Sequence, residues 1–176
     1  FAHSFVDSVV AVWSEKFRIT TTSNIPVAAL RDVGVAFEFP YYIDGTHLDD
    51  DFELAVEKIP SGTFSTSCVN YRVGNSSLDS EDVVAVNKGG SMKQRGSVHE
   101  FGHMLGLRDE YPSAKENMNH TGDKDSVMHS GEIVRERHYA PFAGWLTEKL
   151  AVAARLSRSQ IDYKVNGNTN MANAAL

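Results

Sequence analysis

His99-Glu100-Phe101-Gly102-His103-Met104-Leu105-Gly106-Leu107-Arg108-Asp109 is the stretch on which the reading of this chain turns. On a helix of 3.6 residues per turn, His99 and His103 stand one above the other, so both imidazoles reach a single ion. Neutral imidazole is a common zinc ligand, at about 2.0–2.1 Å. Glu100 sits one step round from the first histidine. From there its carboxylate meets a water on the metal rather than the metal itself, which is where a general base belongs. A chance H-E-x-x-H arises in roughly 2% of chains of this composition, so the short motif alone is only moderately informative. Gly106 permits a sharp turn at positive φ and swings the chain back toward the helix, which makes Asp109 the best third ligand. Requiring that glycine and that acid lowers the chance expectation to about one in ten thousand, so these two residues carry more weight than the motif they follow. Glu110, next door, is not excluded by spacing.

Working outward, Ser91 and Gln94 fit a capping box, and Val98, Phe101 and Leu105 recur at helical spacing, which predicts a helix over about 92–105. Upstream, Phe5, Val9, Val12 and Trp13 predict an amphipathic helix over 5–17. Alternating apolar residues predict strands in 33–43, 51–59, 64–73 and 82–88, with loops at 44–51 and 74–81. Downstream, 108–126 is polar loop. Pro141 is expected to open a last helix with Phe142, Trp145, Leu146, Leu150, Ala153 and Leu156 on its apolar stripe. Residues 166–176 read as a frayed tail or linker. The expected class is α+β. An N-terminal helix packs on a mixed, twisted sheet of about four to five strands, and the active helix and a C-terminal helix follow. A single catalytic domain spans 1–165, with subdomains 1–106 and 107–165.

Composition bounds the function. The 176 residues hold 17 basic and 23 acidic side chains, for a net charge of −6, and mean hydropathy is −0.30. No apolar run approaches the ~20 residues of a membrane span. The acidic balance argues against a nucleic-acid or anionic-lipid partner. Cys68, the single cysteine, excludes an internal disulfide framework, reads as a buried strand residue, and suggests synthesis in the cytoplasm. Phe1 is not a start methionine and the first residues lack a signal-peptide pattern, so the sequence reads as a piece of a longer or processed chain, with secretion or delivery into another cell left open.

H-E-x-x-H-x-x-G-x-x-H/D resembles the signature of the metzincin zinc endopeptidases. Asp109 stands where most members have a third histidine, a variant similar to the snapalysin-like group. The resemblance implies a Met-turn beneath the histidines, and Ser126-Val127-Met128-His129 looks like that turn. Ser130 stands where some metzincins carry a metal-reaching tyrosine. The element order, helix, sheet, active helix, Met-turn and final helix, is similar to a metzincin catalytic domain. "HEFGHMLGLRDEYP", "SVMHSG" and "VRERHYAPFAGWL" also resemble metallopeptidase domains at the ends of bacterial toxin and secretion-system effectors, which implies a larger polypeptide and an inhibitory or immunity partner.

The expectation is therefore hydrolysis of peptide bonds in a protein or peptide substrate. Zn2+ is held by His99, His103 and Asp109, with Glu100 as base and His138, Tyr139 or Tyr111 as donor to the oxyanion. Two other readings compete. One is a zinc peptidase of gluzincin type with Glu132 or Glu136 as third ligand, which leaves Gly106, Asp109 and Met128 unexplained. The other is an inert metal-binding module, which has no use for Glu100. The cluster of His47 with Asp49, Asp50 and Asp51 lacks the spacing of a calcium loop and reads as a solvated turn, as do Asp123 and Asp125. His129 is close enough to Met128 to line a cleft, though nothing in the sequence requires it.

Overall fold

The computed structural model describes residues 1–41 and 51–167. Much of the 44–51 turn, with His47, Asp49 and Asp50, lies outside the described residues, as do positions 42–43 and 168–176. Among the described residues the chain is α+β, with three α-helices and two sheets of three strands. It divides into two compact units, one of Phe1–Val12 with Glu38–Ile133, the other of Trp13–Phe37 with Val134–Leu176. Among the described residues, no helix is long and apolar enough to cross a membrane.

Helix α1 (Ala2–Trp13) buries Phe5, Val9, Val12 and Trp13, the stripe its periodicity announces. It stops earlier than expected. Glu15 takes a φ of 56°, a left-handed residue that turns the chain out of the helix, and Phe17 already begins a strand.

In the first unit, β3 (Glu53–Glu57), β4 (Cys68–Asn70) and β5 (Asn75–Asp79) form a sheet in the order β3-β5-β4. β5 lies in the middle, parallel to β3 and antiparallel to β4. That central strand is the Asn-Ser-Ser-Leu-Asp run expected to be loop. Its polar residues normally favour turns because their side chains compete for backbone hydrogen bonds. Here the competition is absorbed by partners. Buried Ser76 donates to the Cys68 carbonyl, and buried Asp79 accepts the amides of Ser65 and Glu81. Cys68, expected inside, is exposed.

Among the described residues, two sheets of three strands stand in place of the expected single sheet of four to five. Of the described part of the 33–43 run, 33–41, only the start is strand. Phe39 is instead a plug whose ring meets Phe5 and Phe101 edge-on, at 6.4 and 5.4 Å. Residues 82–88 contribute one isolated bridge, Val86 to Gln94, and Val84 and Val86 stay exposed. An apolar, β-prone sequence does not make a strand without a partner edge to pair with.

Helix α2 (Gly96–Met104) starts four residues later than expected, and the Ser91/Gln94 capping box is absent. The Ser91 amide and hydroxyl bond Asp125 Oδ1, and Gln94 is fully buried for a different purpose described below. Arg95 occupies the cap position, its amide and guanidinium both on Glu132. Eight of the nine helix residues are buried, all but His103. A helix apolar or covered on nearly all sides is an interior element. It ends at Gly106, whose φ of 80° is the left-handed stop expected there.

In the second unit, β1 (Phe17–Thr21), β2 (Asp32–Gly34) and β6 (Tyr163–Gly167) pair antiparallel in the order β2-β1-β6. Thus part of the expected tail is an ordered edge strand. Helix α3 (Glu136–Ala154) opens five residues before Pro141, which sits in its second turn. Ile25, Leu150, Ala151 and Ile161 form the core here, with Leu30, Ala154, Leu156 and Tyr163 against it. Trp145, expected on the apolar stripe, is exposed.

Candidate metal centre

The first unit holds the histidine helix and everything that converges on it. The His99, Glu100 and His103 ligand atoms lie within 4.8 Å of one another, a buried group able to hold a metal ion. Asp109 returns to them after the Gly106 turn. Its Oδ1 lies 3.1 Å from His99 Nε2 and 3.3 Å from His103 Nε2. Three ligands spaced tetrahedrally around zinc at 2.0–2.1 Å would be separated by about 3.3–3.4 Å, so these spacings are compatible with one ion between the three atoms. Asp109 Oδ1 is buried and without a well-aligned hydrogen bond although both nitrogens lie beside it. A buried carboxylate oxygen without a partner is costly, and a cation between the three atoms removes the cost.

Each ligand is fixed from behind. His99 Nδ1 donates to the Val127 carbonyl and His103 Nδ1 to the Leu107 carbonyl, both at 2.8 Å. Carbonyls only accept, so each Nδ1 carries a proton, and in the neutral ring that a metal requires Nε2 is the nitrogen with the lone pair. The two rings meet edge to face at 4.8 Å. Tyr111 donates its hydroxyl to Asp109 Oδ2 at 2.8 Å and lays its ring along His99. The donor set, its outer hydrogen bonds and the orphaned oxygen all suit zinc.

Electrostatics follow from burial and from this pairing. Burial works to lower the His103 pKa, but Asp109 and the Leu107 carbonyl outweigh it and hold the ring up at about 9. Burial alone would raise Asp109, and the two histidines with Tyr111 instead hold it well below the usual carboxylate range. The Tyr111 hydroxyl is pushed up by burial and by Asp109. Burial raises Glu100, with the two histidines opposing it. Its Oε2 is buried and unpartnered, and it faces a cavity of about 620 Å³ that His99, Tyr111 and His129 also line. A carboxylate made more basic by burial, beside two histidines able to hold a metal, suits a proton acceptor.

The other sequence candidates have different occupations. Glu110 is buried, its Oε2 accepting from Ser126 Oγ at 2.5 Å. Glu132 is engaged by Arg95, and Glu136 is an exposed residue at the start of α3. Met128 is wholly buried. The His129 amide bonds the Ser126 carbonyl at 2.9 Å, closing a tight turn over Ser126–His129 with methionine third. In the second unit, His138 Nδ1 accepts the Arg135 amide, and the Tyr139 hydroxyl donates to the Trp13 carbonyl with its pKa raised by burial to about 12.

Sequence reasoning gave Gln94 a helix-capping role and missed the one it has. Its amide donates to the carbonyls of Val127, His129 and Gly131, at 2.9, 3.4 and 2.7 Å, and so fastens the Met128 turn. A buried glutamine just ahead of a helix has no local sequence signal, because its partners are more than thirty residues away. Compared with protein-family models, curated proteins and solved structures, the chain matches none of them.

Proposed function

We propose that this chain is a zinc-dependent endopeptidase that hydrolyses peptide bonds of protein substrates. His99, His103 and Asp109 hold the ion and Glu100 serves as general base. The observation that carries the proposal is the orphaned Asp109 Oδ1, spaced from both histidine Nε2 atoms as a co-ligand would be. Bound zinc supplies Lewis acidity, making an adjacent water more acidic and a substrate carbonyl more electrophilic. Glu100 Oε2 takes the proton of the attacking water, and the same oxygen then delivers it to the departing amine nitrogen. Burial keeps that carboxylate basic enough for the first transfer. The rings of His99 and His103, held at Nδ1, leave Nε2 facing the ion throughout.

The Met128 turn supports the metzincin-like assignment, since its Val127 carbonyl orients His99. The gluzincin alternative is weakened by the engagement of Glu132 with Arg95. An inert metal module is weakened by the free, buried Glu100 oxygen, which a structural site does not need. The likeness of HEFGHMLGLRDEYP, SVMHSG and VRERHYAPFAGWL to metallopeptidase domains of bacterial toxins and effectors extends the proposal to a chain made in the cytoplasm, delivered from it, and held in check by an immunity partner.

The test is digestion of casein by the zinc-loaded chain, with and without a chelator, alongside zinc stoichiometry. Cleavage that the chelator abolishes supports the reading. Stoichiometric zinc with no cleavage of casein or of a mixed peptide library supports the inert module. Glu100→Gln should retain zinc and lose proteolysis by several orders of magnitude.

A further inference from the structure

His129 is nine-tenths buried, yet only one of its ring nitrogens is used. Nδ1 shares a hydrogen bond with Ser130 Oγ at 2.7 Å, while Nε2 is buried without a partner. The ring lines the same cavity as Glu100 and meets Tyr111 edge-on at 6.2 Å. Its backbone is held from several sides. The His129 amide bonds Ser126, and its carbonyl accepts from Gln94. The neighbouring Met128 carbonyl accepts the Glu110 amide. The backbone bonds fix where the ring is rooted, and turning the ring toward solvent breaks its bond to Ser130. Leaving such a nitrogen unsatisfied is destabilising, and the cost is removed when a ligand in the cavity supplies the partner.

We propose that His129 is a substrate-contacting residue whose Nε2–H donates to the oxyanion oxygen of the scissile peptide. The inference rests on the peptidase reading above. The Ser130 hydroxyl is able to accept from Nδ1 or donate to it; an oxyanion donor at this position uses the tautomer in which Ser130 donates, which leaves the ring proton on Nε2. Donors fixed before the reaction need no reorganisation as charge develops on the carbonyl oxygen, and losing one typically lowers kcat by about 100- to 1000-fold. His129 thereby does the task for which His138, Tyr139 and Tyr111 are sequence candidates. Tyr139 and Tyr111 already spend their hydroxyl protons on Trp13 and Asp109.

Two measurements test this. The first needs no activity: nitrogen NMR of the metal-free protein should show His129 protonated at Nε2, and Ser130→Ala should erode that preference. A ring protonated at Nδ1 would overturn the proposal. The second is kinetics on casein-derived peptides. His129→Ala should lower kcat by about 100- to 1000-fold, with KM changed by only a few-fold and zinc stoichiometry intact. His129→Gln, which keeps an N–H, should recover part of the loss. A His129→Ala enzyme with full kcat would sink this assignment while leaving the peptidase reading standing. A wild-type chain that binds zinc and cleaves nothing would sink both.

Discussion

At the scale of single residues, what distinguishes the proposed ligands from their neighbours is which atoms are left without partners. Glu110 is as acidic as Asp109 and adjacent to it, but Ser126 occupies its carboxylate. Asp109 keeps Oδ1 free and gives Oδ2 to Tyr111. Two substitutions separate direct from indirect roles. Asp109→Ala should abolish stoichiometric zinc binding. Tyr111→Phe, which removes only the bond behind the ligand, should weaken zinc by about 10- to 100-fold. Competition with a chromophoric chelator measures both, and equal effects would contradict the distinction. The motif residues His99, Glu100 and His103 were legible in the sequence because an i, i+4 pair is a local geometric fact. Asp109 was legible because a glycine and six residues of chain are enough to bring it back. His129 was visible as a neighbour of Met128, but its orphaned nitrogen depends on everything packed around it.

At the scale of elements, α2 is positioned by contacts at its start rather than by a side-chain cap. Gly96 lies so close to Asp82 that an added Cβ would stand 1.8 Å from Asp82 Oδ1. Asp82 also receives Ser67 Oγ and the Asp79 amide, and its carbonyl takes the Ser97 amide. Gly96→Ala should therefore destabilise the fold by about 1–3 kcal/mol or more, as overpacking does, read as a lower urea midpoint. Gln94→Leu tests the other attachment. It keeps bulk but strips hydrogen bonds from buried carbonyls, at a cost of about 1–3 kcal/mol, and should also loosen zinc because Val127 orients His99. A variant with unchanged stability would show that water satisfies those carbonyls. Strand prediction failed at β5 and over 35–41 for complementary reasons. Asn75–Asp79 has poor intrinsic strand propensity but gains two neighbouring strands. Residues 35–41 have good propensity but no ladder, and Phe39 packs through its ring instead.

For the whole molecule, the site lies within one unit, so zinc should stabilise that unit by linkage. At a free zinc concentration about 100 times Kd the gain is about 2.7 kcal/mol, which for a chain of this size corresponds to a rise in Tm of roughly 5–10 °C. A thermal melt with and without chelator checks it, and His103→Ala should remove the difference. The sequence by itself determined the geometry that is local: the stacked histidines, the glutamate beside them, the glycine bend and the returning acid, together with the helical stripe of α1. It also determined the α+β class. Tertiary structure alone decided that there are two three-stranded sheets, that a serine-rich loop is a central strand, and that Gln94 fastens a turn rather than capping a helix. Periodicity and turn chemistry act over a few residues and can be read along the chain. Strand partners, buried carbonyls and unpaired nitrogens are set by residues far apart in sequence, and they acquire meaning only when folding brings those residues together.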